Sequence, residues 1–186
     1  DIVLSAASQQ YGGFTVPSVD LILEPYAEKS YKRNVEKYLR LGIDKDTAEA
    51  EGYADVVREF EQGFQGWEYK FNTVASSRGD YPFITVTAGT GTGRFAKQAT
   101  ISMLNVRRRG QGKKECKKPV LFPKIVFLYD ENLHGPGKPL EDVFEAGVQC
   151  SAKTMYPDWL SLTGKGYVAS IYKQYGEIIS PTGCRA

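Results

Sequence analysis

The segment that most constrains this chain is 120–129, with the sequence VLFPKIVFLY, which is almost wholly apolar. An apolar run of this length without alternation is typical of a β-strand that is buried on both faces. An earlier segment, Tyr81–Thr87, alternates and is rich in β-branched and aromatic residues, which also predicts a strand. We therefore expect Tyr81–Thr87 and Val120–Tyr129 to be neighbours in a largely parallel sheet.

Apolar residues at helical spacing lie between and after these two strands. Arg94–Arg108 and Leu140–Ala152 are predicted to be helices, and Gly176–Ser180 is predicted to be a further short strand. Strands that alternate with helices of this length are typical of βαβ units. The sequence therefore predicts an α/β fold with a parallel sheet or barrel.

Two longer helices are predicted in the first half of the chain. The first begins at Pro17-Ser18-Val19-Asp20 and ends at Leu41-Gly42, and the second begins after Asp44, which is placed to cap it. Both carry charged residues on their outer faces. This pattern fits a solvated surface and a helical subunit interface equally well.

Length, charge and cysteine content exclude several classes of protein. A chain of 186 residues fits one domain, and a net charge of +2 is too small to make nucleic acid or an anionic membrane the expected partner. No stretch approaches the roughly 20 apolar residues that a membrane helix needs. The three cysteines are widely spaced and form no CxxC pair, which argues against a disulfide framework and a structural zinc site and favours a reducing, cytoplasmic setting.

Three other motifs could bind ligands, and each also has a simpler interpretation. The run Gly89–Arg94 follows a strand and precedes a helix, as phosphate loops do, but it fits neither GxGxxG nor a P-loop and is interpreted as a flexible connection. The stretch Arg107–Lys114 could bind phosphates, although basic residues at a helix C-terminus are also expected from the helix dipole. His134, the single histidine, lies in a Gly/Pro-rich loop and is expected to be solvated.

The three cysteines differ in their sequence surroundings. Cys150 lies in an amphipathic helix and is expected to be a small buried hydrophobic residue, and Cys116 is expected to be an incidental thiol in a basic loop. Cys184 follows Gly183, which allows close approach of backbone or ligand, and precedes Arg185, which could lower a thiol pKa or bind phosphate. By spacing alone, Cys184 is as compatible with an inert thiol as with a reactive one.

Five stretches resemble, in order along the chain, the large catalytic subunit of anaerobic (class III) ribonucleotide reductases. They are SQQYGG at 8–13, FNT through SSRGDYPF at 71–83, KPVLFPK at 118–124, MYPD at 155–158 and PTGCR at 181–185. The likeness extends over essentially the whole chain.

The resemblance implies a ten-stranded α/β barrel made of two half-barrels, with a finger loop threading its centre. Residues 1–186 would be a single segment of this catalytic barrel, without the glycyl-radical, zinc and ATP-cone regions. Cys184 matches the family's finger-tip cysteine, which becomes a thiyl radical and abstracts the 3′ hydrogen of a ribonucleoside triphosphate. The resemblance also implies that Gly12, Gly13, Gly183 and Arg185 contact the substrate.

The resemblance further implies regulation and partners. Ser77, Arg78 and Gly79 are the candidate effector-binding residues for dNTP or ATP, and the two long helices are candidates for a homodimer interface. No cofactor or metal is expected within this segment; the glycyl radical and a structural zinc are expected in the C-terminal part of the full-length enzyme, which a radical SAM enzyme activates. Two alternatives stay open: a non-catalytic nucleotide-binding or regulatory module on the same scaffold, and a basic nucleic-acid-binding domain that uses Arg107–Lys114.

Overall fold

The structure is a computed structural model that describes residues 2–10, 12–74, 79 and 83–182. Within these ranges, helices and strands alternate along much of the chain. Their order is α1 (Ile2–Ser8), β1 (Phe14–Val16), α2 (Val19–Arg40), α3 (Lys45–Thr73), β2 (Ile84–Ala88), α4 (Arg94–Arg109), β3 (Gln111–Lys113), β4 (Cys116–Lys118), β5 (Lys124–Tyr129), α5 (Glu141–Thr154), β6 (Asp158–Ser161) and α6 (Tyr167–Tyr175). In these ranges no helix is both long and apolar enough to cross a membrane.

The main sheet has four parallel strands in the order β1-β2-β5-β6, which is also their order along the chain. Strands β3 and β4 form a separate antiparallel hairpin. β2 and β5 are direct neighbours, with Val86 paired to Ile125. The predicted α/β class and the predicted pairing of these two strands are therefore confirmed.

The sheet has a helix-covered face and an opposite face that we call the inner face. All five residues of β2 are buried; Ile84, Val86 and Ala88 belong to the main hydrophobic cluster with Leu104 of α4. Because side chains alternate along a strand, the residues between them point to the other side. With their register partners, the inner-face residues are Thr15, Thr85, Thr87, Lys124, Val126, Leu128, Asp158 and Leu160.

Helices α2 and α3 form an antiparallel pair. Ser30 donates a hydrogen bond to Glu59, and the Tyr38 hydroxyl donates to Asp55 Oδ2 at 2.9 Å, so positions later in α2 contact positions earlier in α3. The predicted cap is confirmed, because Asp44 Oδ1 accepts from the Thr47 amide at 3.0 Å. This hydrogen bond also holds the pKa of the Asp44 carboxyl below its usual value.

Several local predictions differ from the structure. The strand predicted at Gly176–Ser180 is wrong: Gly176 ends α6 with a φ of +71°, and residues 177–180 make no strand pairing. Helix α6 and the short strands β1 and β6 were not predicted. β5 begins at Lys124 rather than Val120, because Pro123 has no N–H for a sheet hydrogen bond.

A buried polar cluster joins α3, α4 and the entrance to β5. The Arg107 side chain is fully buried; its Nε donates to Glu68 Oε1 at 2.6 Å and its Nη2 donates to the Pro123 carbonyl at 2.6 Å. Asn72 completes the junction, since its Oδ1 accepts from the amides of Leu121 and Phe122 at 3.2 and 3.1 Å. These contacts fix three elements that are far apart in sequence.

Replacing Arg107 with Met should lower the free energy of unfolding by about 3–5 kcal/mol, because the Glu68 carboxylate would remain buried without its partner. Urea denaturation monitored by circular dichroism measures the change. Arg109→Met is the matched control, because the Arg109–Glu61 pair is half-exposed and should contribute only about 0–1 kcal/mol. Equal losses in the two variants would contradict this account of the cluster.

Candidate active site on the inner face

The chain beyond α6 crosses the inner face and contacts β1 and β2 through hydroxyl groups. Thr15 Oγ1 lies 3.0 Å from the Pro181 carbonyl oxygen and 3.0 Å from Thr182 Oγ1. Thr87 Oγ1 lies 3.5 Å from Ser180 Oγ. The segment 180–182, which directly precedes Gly183-Cys184-Arg185 in the sequence, is therefore held on this face.

Of the predicted substrate-binding glycines, Gly13 lies beside this segment. Its φ is +112°, and a β-carbon there would meet the Phe83 carbonyl oxygen at 2.8 Å and Thr182 Cγ2 at 3.5 Å. A residue larger than glycine would therefore be strained at this position. Gly12 is exposed, and a β-carbon there would meet nothing within 4 Å.

The remaining predicted site residues fall largely outside the described part of the chain. Gly183, Cys184 and Arg185 lie there, as do Ser77 and Arg78 of the candidate effector loop. Gly79 is described: it is exposed and has a φ of +83°, a conformation that favours glycine. The roles of these residues stay predictions.

Two carboxylates of α2 lie against the glycine-rich run that follows β2. Asp20 is fully buried, and its Oδ2 accepts from the amides of Gly89 and Gly91, both at 3.0 Å. The Glu24 carboxylate lies against Gly93, where any β-carbon would overlap it. Two carboxylates in this position disfavour a phosphate. The interpretation of the run as a strand-to-helix connection therefore fits the structure, although the connection is tied down rather than flexible.

His134 is buried, so the expectation of a solvated loop residue is wrong. Its Nδ1 accepts from the Asp130 amide at 3.0 Å, and its Nε2 lies 2.8 Å from the Gly89 carbonyl oxygen. Its Nδ1 also lies 3.0 Å from the Asp130 carbonyl oxygen, so both ring nitrogens have backbone partners. The loop after β5 folds back at Asp130, and a single histidine in a Gly/Pro-rich sequence gives no signal of that fold.

The basic stretch is divided between the interior and the surface. Arg107 is buried in its pair with Glu68, Arg109 pairs with Glu61 at 2.8 Å, and Arg108 donates to Gln149. The exposed lysines that follow are on the β3–β4 hairpin. Because the three arginines have protein partners, the structure weakens the interpretation of this stretch as a nucleic-acid surface.

The prediction for Cys150 is confirmed, whereas Cys116 lies on a strand rather than in the predicted loop. Cys150 is fully buried, and burial raises the pKa of its thiol. Cys116 is free and exposed on β4. Among the described residues, no group of three or more His, Cys, Asp or Glu side chains is arranged to hold a metal ion.

The fold and this site together define a segment of an α/β enzyme whose candidate reactive sequence, PTGCR, follows a segment held on the inner face of a parallel sheet. The family model for anaerobic ribonucleoside-triphosphate reductase matches residues 1–186, and the chain belongs to this family. The resemblance inferred from the sequence motifs is confirmed.

Curated relatives extend the match over the whole chain. The chain is 36% identical over 188 residues to the anaerobic ribonucleoside-triphosphate reductase of Haemophilus influenzae, of which it covers 25%. It is 33% identical to the proteins of the same name from Escherichia coli K12, with 25% covered, and from Enterobacteria phage T4, with 29% covered. The chain thus spans about a quarter of the length of these relatives.

Replacing Asp20 with Ala should lower the free energy of unfolding by about 2–3 kcal/mol, because two buried amides would lose their charged acceptor. Amide hydrogen exchange should speed up at Gly89 and Gly91. Asp142→Ala, on the exposed side of α5, is the control and should leave both amides protected. Unchanged protection of Gly89 and Gly91 in the Asp20 variant would refute the role given to this carboxylate.

Native-state alkylation should modify Cys116 roughly tenfold faster or more than Cys150, since the Cys150 thiol is buried and its raised pKa leaves little thiolate. Peptide mass spectrometry after iodoacetamide treatment measures both rates separately. In urea the two rates should converge. Comparable rates in the native protein would contradict the burial of Cys150.

Proposed function

We propose that this chain is a segment of the catalytic barrel of an anaerobic ribonucleoside-triphosphate reductase and that Cys184 carries its substrate radical. The observation that supports this most is the position of 180–182 on the inner face of a parallel sheet, directly before the Gly-Cys-Arg motif. The names of the curated relatives point to the same reaction.

The ten-stranded barrel is part of this proposal. The four parallel strands follow one another in chain order, and α4 packs against α2, α3 and α5 on the helix-covered side. Barrels have strands in sequential order with helices outside, whereas doubly wound sheets reverse their strand order. The segment therefore fits a half-barrel better than a doubly wound sheet.

In the proposed reaction, the chain's contribution is to position a thiol and exclude water. A glycyl radical from the C-terminal part of the full-length enzyme would take the hydrogen atom of the Cys184 thiol, which restores the glycine and leaves a thiyl radical on the sulfur. The Cys184 sulfur would then take the 3′ hydrogen from the ribose of a bound ribonucleoside triphosphate, which labilises the 2′ hydroxyl. Gly12, Gly13, Gly183 and Arg185 would contact the substrate, with the Arg185 guanidinium suited to phosphate.

Regulation would involve the two long helices and the loop after them. Ser77, Arg78 and Gly79 are the proposed contacts of a dNTP or ATP effector. A groove of about 380 Å³ between α2 and α3 is lined by Tyr26, Phe64 and Trp67 among others, and Tyr26 is exposed. An apolar groove on paired helices suits association, so we propose that α2 and α3 contribute to a homodimer interface.

The remaining components belong to the full-length enzyme. A radical SAM activating enzyme would generate the glycyl radical, and a structural zinc would be held by cysteines outside this segment. No residue described here is assigned to either group.

Cys184→Ser in the full-length enzyme should fold, bind nucleotides and still accept the glycyl radical, yet form no deoxynucleotide. The physical reason is that a serine O–H bond is too strong for a glycyl radical to break, although serine nearly preserves size and hydrogen bonding. Anaerobic product formation after activation, together with electron paramagnetic resonance of the radical, measures both properties.

The other two cysteines provide matched controls for this variant. Cys116→Ser should have nearly unchanged activity because the thiol is exposed, and Cys150→Ser should cost some stability at most. Substantial turnover by the Cys184 variant would refute the proposed radical site. A lack of glycyl-radical formation in the activated parent enzyme would instead favour a non-catalytic nucleotide-binding module.

A further inference from the structure

We propose that Thr15 is a positioning residue for the radical cysteine: its hydroxyl group holds the segment 180–182 against the inner face and thereby sets the location of Cys184. This inference rests on the proposed function. It adds a role for a strand residue that lies more than 160 positions before the cysteine in the sequence.

The contact joins a strand of the parallel sheet to a segment in which only Thr182 makes a β-bridge. Thr15 is the central residue of β1 and pairs with Thr85 of β2 in the parallel sheet. Its hydroxyl reaches both the carbonyl oxygen of Pro181 and the hydroxyl oxygen of Thr182 at 3.0 Å. Functional groups supported by strands are held more accurately than groups supported by loops alone. Thr15 therefore offers the segment 180–182 a hydroxyl group whose position is fixed by the sheet.

Among the described residues after α6, Thr182 alone makes a β-bridge. Residues 177–181 make no strand pairing, so a sheet ladder does not set their distance from the inner face. Pro181 is buried, and its carbonyl oxygen needs a donor there. The Thr15 hydroxyl supplies that donor and at the same time sets the depth at which Pro181 lies.

A second hydroxyl supports the segment one residue earlier. Thr87 is fully buried, and its Oγ1 accepts from the Ser18 amide at 2.8 Å. That bond leaves the Thr87 proton available for Ser180 Oγ, which lies 3.5 Å away at the outer limit for a hydrogen bond. Thr87 thus makes a weaker contact than Thr15 does, and it extends the same row of hydroxyls.

Gly13, directly before β1, also leaves room for Thr182 because it has no side chain. Gly13 lies where a β-carbon would be 3.5 Å from Thr182 Cγ2, so the chain around Gly13 and Thr15 contacts Thr182 from two positions. Cys184 follows Thr182 by two residues, a reach of about 7 Å at most. A displacement of Thr182 would therefore shift the point from which the Gly183-Cys184-Arg185 sequence continues.

Hydrogen-atom transfer depends steeply on the separation of the reacting atoms, and a misplacement of about 1 Å can cost about a hundredfold in rate. Thr15→Val removes the hydroxyl and keeps the shape. We expect the full-length, activated variant to lose about ten- to hundredfold in deoxynucleotide formed per glycyl radical. Its radical content and its KM for the ribonucleotide should stay unchanged.

Two further variants separate the hydroxyl from general stability. Thr15→Ser retains the donor and should recover most of the lost turnover, which a loss of packing would not predict. Thr100→Val is the matched control: Thr100 is buried in α4 and its Oγ1 bonds only within the helix, to Ala96 at 3.3 Å. It should have parental turnover per radical. Equal losses in Thr100→Val and Thr15→Val would overturn the proposal.

The double variant Ser180→Ala/Thr182→Val removes hydroxyls from the segment side, where Thr182 is exposed and folding should be unaffected. It should also lose turnover per radical, although less than Thr15→Val does because the Thr15–Pro181 hydrogen bond remains, so the proposal is testable even if Thr15→Val does not fold. Turnover within twofold of the parent in either folded variant would overturn it. Turnover retained by Cys184→Ser would instead refute the proposed radical site, so the two failures are distinguishable.

Discussion

The buried pair of Arg107 and Glu68 is the interaction on which the assembly of this segment depends most. A full charge in the interior is costly unless it is paired and hydrogen-bonded. Arg107 Nε and Nη2 have their partners only when α3 supplies Glu68 and the chain before β5 supplies the Pro123 carbonyl. Helix α3 and the chain that enters β5 must therefore be in place together. The pair makes the packing specific, because apolar contacts alone would tolerate small shifts of these elements.

The sheet joins this polar junction to the candidate site. β2 is buried on both faces, with aliphatic residues toward α4 and two threonines toward the inner face. A strand with threonines on one side can pack and still offer hydroxyl groups to a segment that crosses it. Asp20 and His134 hold the chain at the carboxyl end of the same strand, through the amide and carbonyl of Gly89. These contacts fix β2 below the segment 180–182, which precedes Cys184 in the sequence.

The sequence was sufficient for the elements that are long or fully buried. β2, β5 and the four longest helices follow from apolar pattern and capping residues, because burial on a regular face leaves a periodic signal. The strands β1 and β6 have three and four residues, too few to show a period, and their pairing depends on neighbours remote in sequence. The segment Gly176–Ser180 was predicted to be a short strand, but these residues make no strand pairing in the structure.

Some residues of the site could also be predicted from the sequence, and others could not. Motif resemblance gave Cys184, Gly183, Gly12 and Gly13 as candidates, but it gave no signal for Thr15, whose proposed role depends on a contact with Pro181. Asp20 reads as an ordinary first-turn acid of a helix, and its burial is evident only when Gly89 and Gly91 are placed beside it. Arg107 reads as one of three basic residues at a helix end. Partners that are distant along the chain decide the role of each of these residues.

The antiparallel pairing of α2 and α3 has a consequence for the order in which the chain folds. Phe14 and Ile84 are partners in the sheet although about 70 residues separate them, and closing so long a loop costs entropy before any pairing is gained. A helical hairpin forms through contacts between near neighbours, such as Tyr38 with Asp55, and it brings the start of α2 close to the end of α3. Once the hairpin exists, β1 and the chain entering β2 emerge side by side. Formation of the α2–α3 hairpin would thus bring these two distant strand partners close together before they pair.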